Sequence, residues 1–190
     1  MQTKNIMLVG VGGQGTLLAS KVLGSVLLDC GWDVKVSEVH GMSQRGGSVV
    51  TYVRYGERVY SPLIDEGEAD IILAFEQLEA ARWISYLKTG GQMIVNTQRI
   101  EPMPVITGAK AYPENLVEKL QSAGAQVQAR DFLALACQAG SAKAVNIAMI
   151  GALARVLDGI APAEWRKALE AVVPQRFLAL NIRAFELGYA

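Results

Sequence analysis

The sequence is poor in the residues that hold metals and disulfides. It contains one histidine and only two cysteines, Cys30 and Cys137, which lie far apart in the chain. Two isolated cysteines form neither a CxxC pair nor the cysteine run of an iron–sulfur cluster, and they match no disulfide framework. With a single histidine, a Cys/His zinc site is excluded as well. We therefore expect no metal site on this chain.

The chain also lacks an excess of charge of either sign and any long apolar run. Eighteen Lys and Arg residues balance eighteen Asp and Glu residues, and the sequence pI is about 6.6. Nucleic acids and anionic membranes attract basic surfaces, so we expect neither as a partner. The apolar residues 6–11 run into glycines without a cleavage site, and residues 144–154 are too few to cross a bilayer. These features predict a cytoplasmic protein.

Apolar residues, by contrast, are abundant. They make up 51% of the 190 residues, while 19% are charged, and the mean hydropathy is +0.24. Two explanations stay open, namely apolar surface covered by a partner and an alanine-rich α/β core. The length is that of one domain, and no linker, repeat or low-complexity tract interrupts it. We therefore expect a single domain over residues 1–190.

The first forty residues follow the order strand, glycine loop, helix, strand. Residues 5–9 are a short apolar run that ends in glycine, as a buried parallel strand does. Residues 16–30 carry apolar side chains at helical spacing, and Gly31 is a typical helix terminator. Residues 33–39 alternate between polar and apolar, which indicates a second strand. This order predicts a Rossmann-like α/β fold with a mostly parallel sheet.

The middle of the chain continues the α/β pattern. Residues 48–55 and 58–64 are strand-like runs on either side of Gly56 and Glu57, which predicts a β-hairpin insertion. Gly90 and Gly91 are interpreted as a stop between a helix and the next strand. Further strands are predicted at residues 70–75, 92–96 and 125–129, and helices at residues 77–87 and 114–122.

The last third of the chain is predicted to be helical. Asp131 and Ser141 are suitable N-caps for two helices, and Pro162 suits the first turn of another. Asn146 lies inside the apolar run of residues 144–154, so it needs a buried hydrogen-bond partner if that helix is internal. We expect its role to be structural.

Gly10, Gly12 and Gly15 form a GxGxxG pattern between a predicted strand and helix. Glycines let the backbone turn tightly and approach a ligand, and the N-terminus of the following helix presents free N–H groups to an anion. A dinucleotide site also needs an acid at the end of the second strand, where Glu38 is well placed. A stand-alone NAD(P)- or flavin-dependent dehydrogenase is thus one interpretation. The alternative is a loop that packs strand against helix or meets a phosphate at a subunit boundary.

A second glycine-punctuated segment, residues 37–48, contains the only histidine. It follows the second predicted strand and so belongs to the carboxyl edge of the sheet, where open α/β folds bind ligands. His40 can move protons, and Arg45 can pair with a carboxylate or a phosphate. Each also has a structural interpretation: His40 as a hydrogen-bonding side chain, and Arg45 as a clamp on neighbouring carbonyls.

The two glycine-rich segments read GVGGQGTLLAS and SEVHGMSQRGGSV. Together they resemble the gamma-type domain of the 2-oxoacid:ferredoxin oxidoreductase family, and the resemblance covers nearly the whole chain. The first motif is broad in that family. The second motif, with His40, Met42 and Gln44 before Arg45, is similar to the indolepyruvate branch.

The resemblance implies a subunit rather than a self-sufficient enzyme. In that family a large alpha subunit carries thiamine diphosphate, Mg²⁺ and the iron–sulfur clusters, and the complex oxidatively decarboxylates an arylpyruvate to an acyl-CoA and reduces ferredoxin. This chain has no GDG…N thiamine motif and no cysteine set for a cluster. Its expected contribution is binding, orientation and closure, with CoA as a candidate ligand at the interface. A purely structural assembly subunit is the other alternative.

The expected functional edge draws on both segments. We expect no catalytic residue on this chain, with His40 as a candidate accessory group. We also expect the two segments to form one ridge that packs against the thiamine subunit. The cofactor-binding or interface residues expected are Gly10, Gly12, Gly13, Gln14, Gly15, Glu38, His40, Gly41, Met42, Ser43, Gln44, Arg45, Gly46 and Gly47.

Overall fold

The fold is built on a six-stranded mixed sheet with helices on both faces, which confirms the α/β class. A computed structural model describes residues 3–38 and 46–190. The strands are β1 (Lys4–Val11), β2 (Asp33–Glu38), β3 (Ser48–Gly56), β4 (Ala69–Ala74), β5 (Leu87–Asn96) and β6 (Gln126–Arg130). The helices are α1 (Thr16–Asp29), α2 (Gln77–Arg82), α3 (Met103–Ile106), α4 (Leu116–Ser122), α5 (Phe132–Ala139), α6 (Val145–Val156), α7 (Pro162–Val172) and α8 (Gln175–Tyr189).

The sheet has a parallel part and an antiparallel part. The strand order is β2-β3-β1-β4-β5-β6. β1, β4, β5 and β6 are parallel neighbours, whereas β3 runs antiparallel to both β1 and β2. β3 therefore lies between the two strands of the predicted β–loop–α–β opening. The carboxyl end of β1 meets the first residue of β3, because Val11 pairs with Ser48.

The predicted hairpin at residues 48–64 is wrong. β3 forms as expected, but both of its edges are already paired, since Val53 lies opposite Ile6 of β1 and Val36 of β2. Because β3 has no free edge to pair with, residues 58–64 form irregular chain. Arg54 holds this chain by donating from its guanidinium to the carbonyl oxygens of Ser61 (3.1 Å) and Leu63 (2.8 Å).

The predicted boundaries around residues 77–96 also need correction. α2 ends at Arg82 and a 3₁₀ turn follows at Ile84–Tyr86, so the helix is shorter than the predicted residues 77–87. The two glycines lie inside β5 rather than before it. A Cβ on Gly91 would come within 2.9 Å of the Lys88 carbonyl oxygen. This close contact favours glycine at position 91, which lies where the register with β4 shifts.

The helices cover the two faces of the sheet unequally. α1, α5, α6, α7 and α8 pack on one face, while α2 and α4 cover the other. α6 is the most enclosed helix, because every residue from 145 to 154 is buried. The predicted helix starts at Asp131 and Pro162 are confirmed, since Asp131 accepts from the Ala134 amide (2.9 Å) and Pro162 opens α7. Ser141 accepts from the Lys143 amide (3.2 Å) and so caps the 3₁₀ turn Ala142–Ala144 that leads into α6. No helix in the described part of the chain is long and apolar enough to span a bilayer.

Candidate functional site

The first glycine segment is the loop between β1 and α1. It lies at the carboxyl end of β1, so its position agrees with the predicted strand–loop–helix order. Gly15 is the N-cap of α1, with a left-handed backbone at φ 83°, and its carbonyl oxygen accepts from the amides of Leu18 and Ala19. The amides of the first helical residues, Thr16 and Leu17, have no acceptor within the helix, as at any helix start. The loop therefore ends in two amides that the helix itself leaves without an acceptor.

Two glycines of the first segment, Gly10 in β1 and Gly15 at the start of α1, are required by contacts within the protein. A Cβ on Gly10 would lie 2.9 Å from Phe75 Cβ, and one on Gly15 would lie 2.6 Å from Asn146 Nδ2. Gly13 differs, because it is exposed and a Cβ there would meet no atom of the described residues within 4 Å. Its φ of 102° favours a glycine at this position. Gly10 and Gly15 thus need no ligand to explain them, whereas Gly13 faces open space.

Gln14 fastens the loop to the neighbouring strand ends. Its Oε1 accepts from the Val11 amide at 2.8 Å, and its Nε2 donates to the Phe75 carbonyl oxygen at 2.9 Å. The same nitrogen lies 3.3 Å from Gln98 Oε1, just beyond β5. The amide of Gln14 is therefore used inside the protein, where it sets the position of the loop over β1, β4 and β5.

Asn146 supplies a second anchor, as its buried position predicts. Its Nδ2 donates to the Gly15 carbonyl oxygen at 3.0 Å, and its Oδ1 accepts from the Ile147 amide at 2.9 Å. Asn146 is buried at the start of α6. The most enclosed helix of the protein thereby fixes the end of the glycine loop.

Glu38 lies in a cleft beside this loop. The cleft measures about 260 Å³ and is lined by Gly12, Gly13, Gly15, Thr16, Leu17, Glu38, Val49, Val50 and Thr51. Glu38 Oε1 accepts from Ser20 Oγ at 2.7 Å, so the carboxylate is tied to α1. It is the only charged side chain among these lining residues, and it gives the described part of the cleft an acidic character.

The geometry around Glu38 disfavours a dinucleotide site. In such folds the strand carrying the ribose acid lies beside β1, and the glycine-loop amides face the pyrophosphate. Here β3 separates β2 from β1, and the Gly12 amide donates to the Gly47 carbonyl oxygen at 2.8 Å. One loop amide and the acid are thus already engaged within the chain.

The second segment meets the first at its C-terminal end. The Gly12–Gly47 hydrogen bond joins them, and Gly46 is exposed with φ 94°. The structure brings together seven of the predicted residues, which are Gly10, Gly12, Gly13, Gln14, Gly15, Glu38 and Gly47, and it places Gly46 next to them. The other six, His40, Gly41, Met42, Ser43, Gln44 and Arg45, lie outside the described residues.

Glu76, which the sequence analysis missed, lies at the carboxyl edge of the sheet, between β4 and α2. It follows β4 and is buried, with one carboxylate oxygen accepting from the amides of Leu78 (2.7 Å) and Glu79 (3.0 Å). Its other oxygen accepts from the Ile100 amide at 3.2 Å and from the Tyr112 hydroxyl. Burial and the adjacent Glu76 carboxylate raise the pKa of Tyr112. Glutamate is not among the usual N-cap residues, so the sequence indicated this role only weakly.

A second missed carboxylate, Glu79, lies one turn further along α2. It is also buried, and it accepts from the Ser48 hydroxyl and from Arg82 Nε, the latter at 3.1 Å. Trp83 Nε1 lies 3.4 Å from Ser48 Oγ. No sequence signal distinguishes Glu79 from an exposed helical acid. Among the described residues, no three His, Cys, Asp or Glu side chains gather as metal ligands.

Comparison with known sequences gives the class of this protein. It belongs to the pyruvate ferredoxin/flavodoxin oxidoreductase family, whose sequence profile matches residues 5–190. The resemblance predicted from the two glycine segments is therefore confirmed. Among curated relatives, indolepyruvate oxidoreductase subunit IorB of Thermococcus kodakarensis is 42% identical over 194 aligned positions, covering 99% of this chain and 95% of that protein.

Solved structures share the fold. Pyruvate oxidoreductase subunit PORC of Thermotoga maritima matches with a TM-score of 0.75 at 23% identity, over 100% of this chain and 96% of that one. A 2-oxoglutarate:ferredoxin oxidoreductase of Magnetococcus marinus, solved with 2-oxoglutarate, coenzyme A and succinyl-CoA bound, matches with a TM-score of 0.74 at 18% identity. That match covers 100% of this chain and 31% of the other, so the same fold occurs there as part of a longer polypeptide.

Proposed function

We propose that this chain is the non-thiamine subunit of an indolepyruvate-type 2-oxoacid:ferredoxin oxidoreductase. The complex would oxidatively decarboxylate an arylpyruvate, form the acyl-CoA and reduce ferredoxin. The observation that carries the proposal is the 42% identity over 99% of the chain to a protein named as an indolepyruvate oxidoreductase subunit. We further propose that residues 1–190 act as one gamma-type domain in a cytoplasmic complex.

The redox cofactors of such a complex do not fit this chain. An iron–sulfur cluster needs a set of cysteines, and the chain has only Cys30 and Cys137. The chain also has no GDG…N motif to hold thiamine diphosphate with Mg²⁺. We assign these groups to a large alpha subunit, which supplies the chemistry. This chain's residues bind, orient and exclude water at the edge where that subunit docks.

The proposed docking edge consists of the first glycine segment and the end of the second. Gln14 and Asn146 hold the loop from inside, and the exposed Gly13 presents bare backbone. Because no side chain projects at Gly13, another chain can approach the loop closely. The internal anchors supply a rigid surface of this kind without any ligand, which also favours the second candidate, a purely structural assembly subunit.

Contact with CoA is proposed through Arg45. A relative of the same fold has coenzyme A bound, and a guanidinium is the side chain best suited to a phosphate. In the described part of the cleft the charged side chain is the Glu38 carboxylate, which repels a phosphate. A basic residue is therefore needed, and Arg45 is the one in the second segment.

Reconstitution with the large subunit tests the proposal. The complex should convert indolepyruvate to the acyl-CoA and reduce a low-potential acceptor only when both subunits and CoA are present. The proposal is wrong if the purified chain alone oxidises a substrate with a bound nicotinamide or flavin.

Arg45→Ala separates an active role from a structural one. If Arg45 contacts CoA, the variant complex should assemble normally and lose turnover about tenfold at low CoA, as expected for one charge-assisted contact. Arg183→Ala, at an exposed arginine on α8, is the matched control and should leave turnover unchanged. Equal turnover of both variants would support the purely structural subunit.

A further inference from the structure

The junction between the second glycine segment and β3 is held by a buried carboxylate. Glu79 reaches from α2 to Ser48, the first residue of β3, and accepts from its hydroxyl. The other carboxylate oxygen of Glu79 accepts from Arg82 Nε at 3.1 Å, and Trp83 Nε1 lies 3.4 Å from Ser48 Oγ. The Glu79 side chain is 5% exposed, whereas its ionic partner Arg82 is 51% exposed. The carboxylate is thus enclosed and both of its oxygens are engaged.

This arrangement is a poor way to gain stability. The buried Glu79 carboxylate loses its hydration, and solvent screens its attraction to Arg82, which is half exposed. Ala80, the next residue of α2, is fully buried without any polar group. Unlike an apolar residue, Glu79 accepts a hydrogen bond from the Ser48 hydroxyl and so fixes the position of that side chain.

Ser48 adjoins the hydrogen bond that joins the two glycine segments in the described part of the chain. It pairs with Val11 at the end of β1, and it follows Gly47, whose carbonyl oxygen accepts from the Gly12 amide at 2.8 Å. A shift of Ser48 therefore moves the acceptor of the Gly12 amide and the adjoining cleft wall. We propose that Glu79 is a positioning residue that acts through Ser48 to hold Gly47, at the end of the second glycine segment, against the first segment. This inference rests on the proposed function, in which that edge receives the large subunit.

Hydrogen exchange on the isolated chain tests the positioning step without any partner. The Gly12 amide should exchange about tenfold faster in Ser48→Ala and Glu79→Ala, the change expected for loss of one charge-assisted hydrogen bond. Glu79→Gln keeps an acceptor for the Ser48 hydroxyl and should restore slow exchange. Ser141→Ala removes a serine hydroxyl that accepts an amide far from this edge, and it is the matched control. Unchanged Gly12 exchange in Ser48→Ala would overturn the inference, even if Glu79→Ala failed to fold.

The affinity of the complex tests the functional step. The dissociation constant for the large subunit should rise about tenfold in Ser48→Ala and Glu79→Ala, and it should recover in Glu79→Gln. A faster Gly12 exchange without a change in affinity would contradict the functional half of the inference. If the wild-type chain itself does not bind the large subunit, the proposed function fails, while the exchange experiment still decides whether Glu79 positions Ser48.

Discussion

Glycine meets two different demands in this protein, at the crossing of α6 and α8 and in the loop between β1 and α1. At the crossing, a Cβ on Gly188 would lie 1.8 Å from the Ala148 carbonyl oxygen, which is backbone and cannot move aside. In the loop, a Cβ on Gly15 would meet the Asn146 side chain, whereas one on Gly13 would meet nothing within 4 Å in the part of the chain that the structure describes. The comparison separates glycines that the fold itself requires from one whose open side is available to another molecule.

The largest expected effect is at the helix crossing. Gly188→Ala should lower the free energy of unfolding by about 3 kcal/mol or more, because α8 must move away from α6. For a chain of this length that corresponds to a fall of roughly 6–12 °C in Tm. Gly24→Ala in α1 is the control, since a Cβ there meets nothing within 4 Å. Gly24→Ala should stabilise the helix by about 0.5–1 kcal/mol. Urea unfolding measures both variants, and similar free energies of unfolding for the two would contradict the prediction.

Gly15→Ala should have the next largest effect on stability. The new Cβ displaces Asn146 Nδ2 and the residue must keep φ 83°, so the expected loss is about 2–3 kcal/mol. In the double variant with Asn146→Ala the clash disappears. The combined loss should therefore be smaller than the sum of the two single losses by at least about 1 kcal/mol. Additive losses in chemical denaturation would show that the two residues do not interact as described.

Gly13→Ala should affect binding more than stability. Strain at φ 102° costs about 1–2 kcal/mol, but the space around it is open. The added methyl group should weaken binding of the large subunit about tenfold, as measured by calorimetric titration. Gly159→Ala carries comparable backbone strain, at φ 81° in open space, and should leave binding unchanged. Equal affinities of the two variants would remove Gly13 from the interface.

The smallest effect is confined to high pH. Burial raises the pKa of Tyr55 to about 12, with smaller contributions from Asp70 and Asp158. Its pKa is about 10 when unfolded, so the neutral phenol favours the fold below pH 10 and this contribution is lost between pH 10 and about 12. Between pH 10 and about 12 the free energy of unfolding of Tyr55→Phe should therefore fall less than that of the wild type. At pH 7 the two proteins should have similar free energies of unfolding. Identical pH profiles of unfolding would contradict this assignment.

Local signals made part of the fold predictable. The glycine loop, α1 and the helix starts at Asp131 and Pro162 were predicted correctly, because each depends on residues a few positions apart. The hairpin was wrong for the opposite reason. β3 pairs on one side with β1, a strand distant in sequence, and this pairing leaves no free edge for residues 58–64.

The candidate site was predictable to a similar extent. The glycine pattern and Glu38 could be read from the spacing of residues, and the need of Asn146 for a partner followed from its apolar surroundings. The sequence could not show that Phe75 and Asn146 leave no room for a side chain at Gly10 and Gly15, because these contacts form only in the folded chain. The burial of Glu79 against Ser48 likewise depends on the packing of α2 over the sheet.

Hydrogen–deuterium exchange of the chain, alone and with the large subunit, tests the central claim most directly. Docking at the carboxyl edge predicts slower exchange in residues 10–17 and 46–51 on complex formation. Residues 88–91, at the opposite edge of the sheet, should exchange at the same rate in both states. Protection of residues 88–91 without protection of the glycine segments would contradict the account.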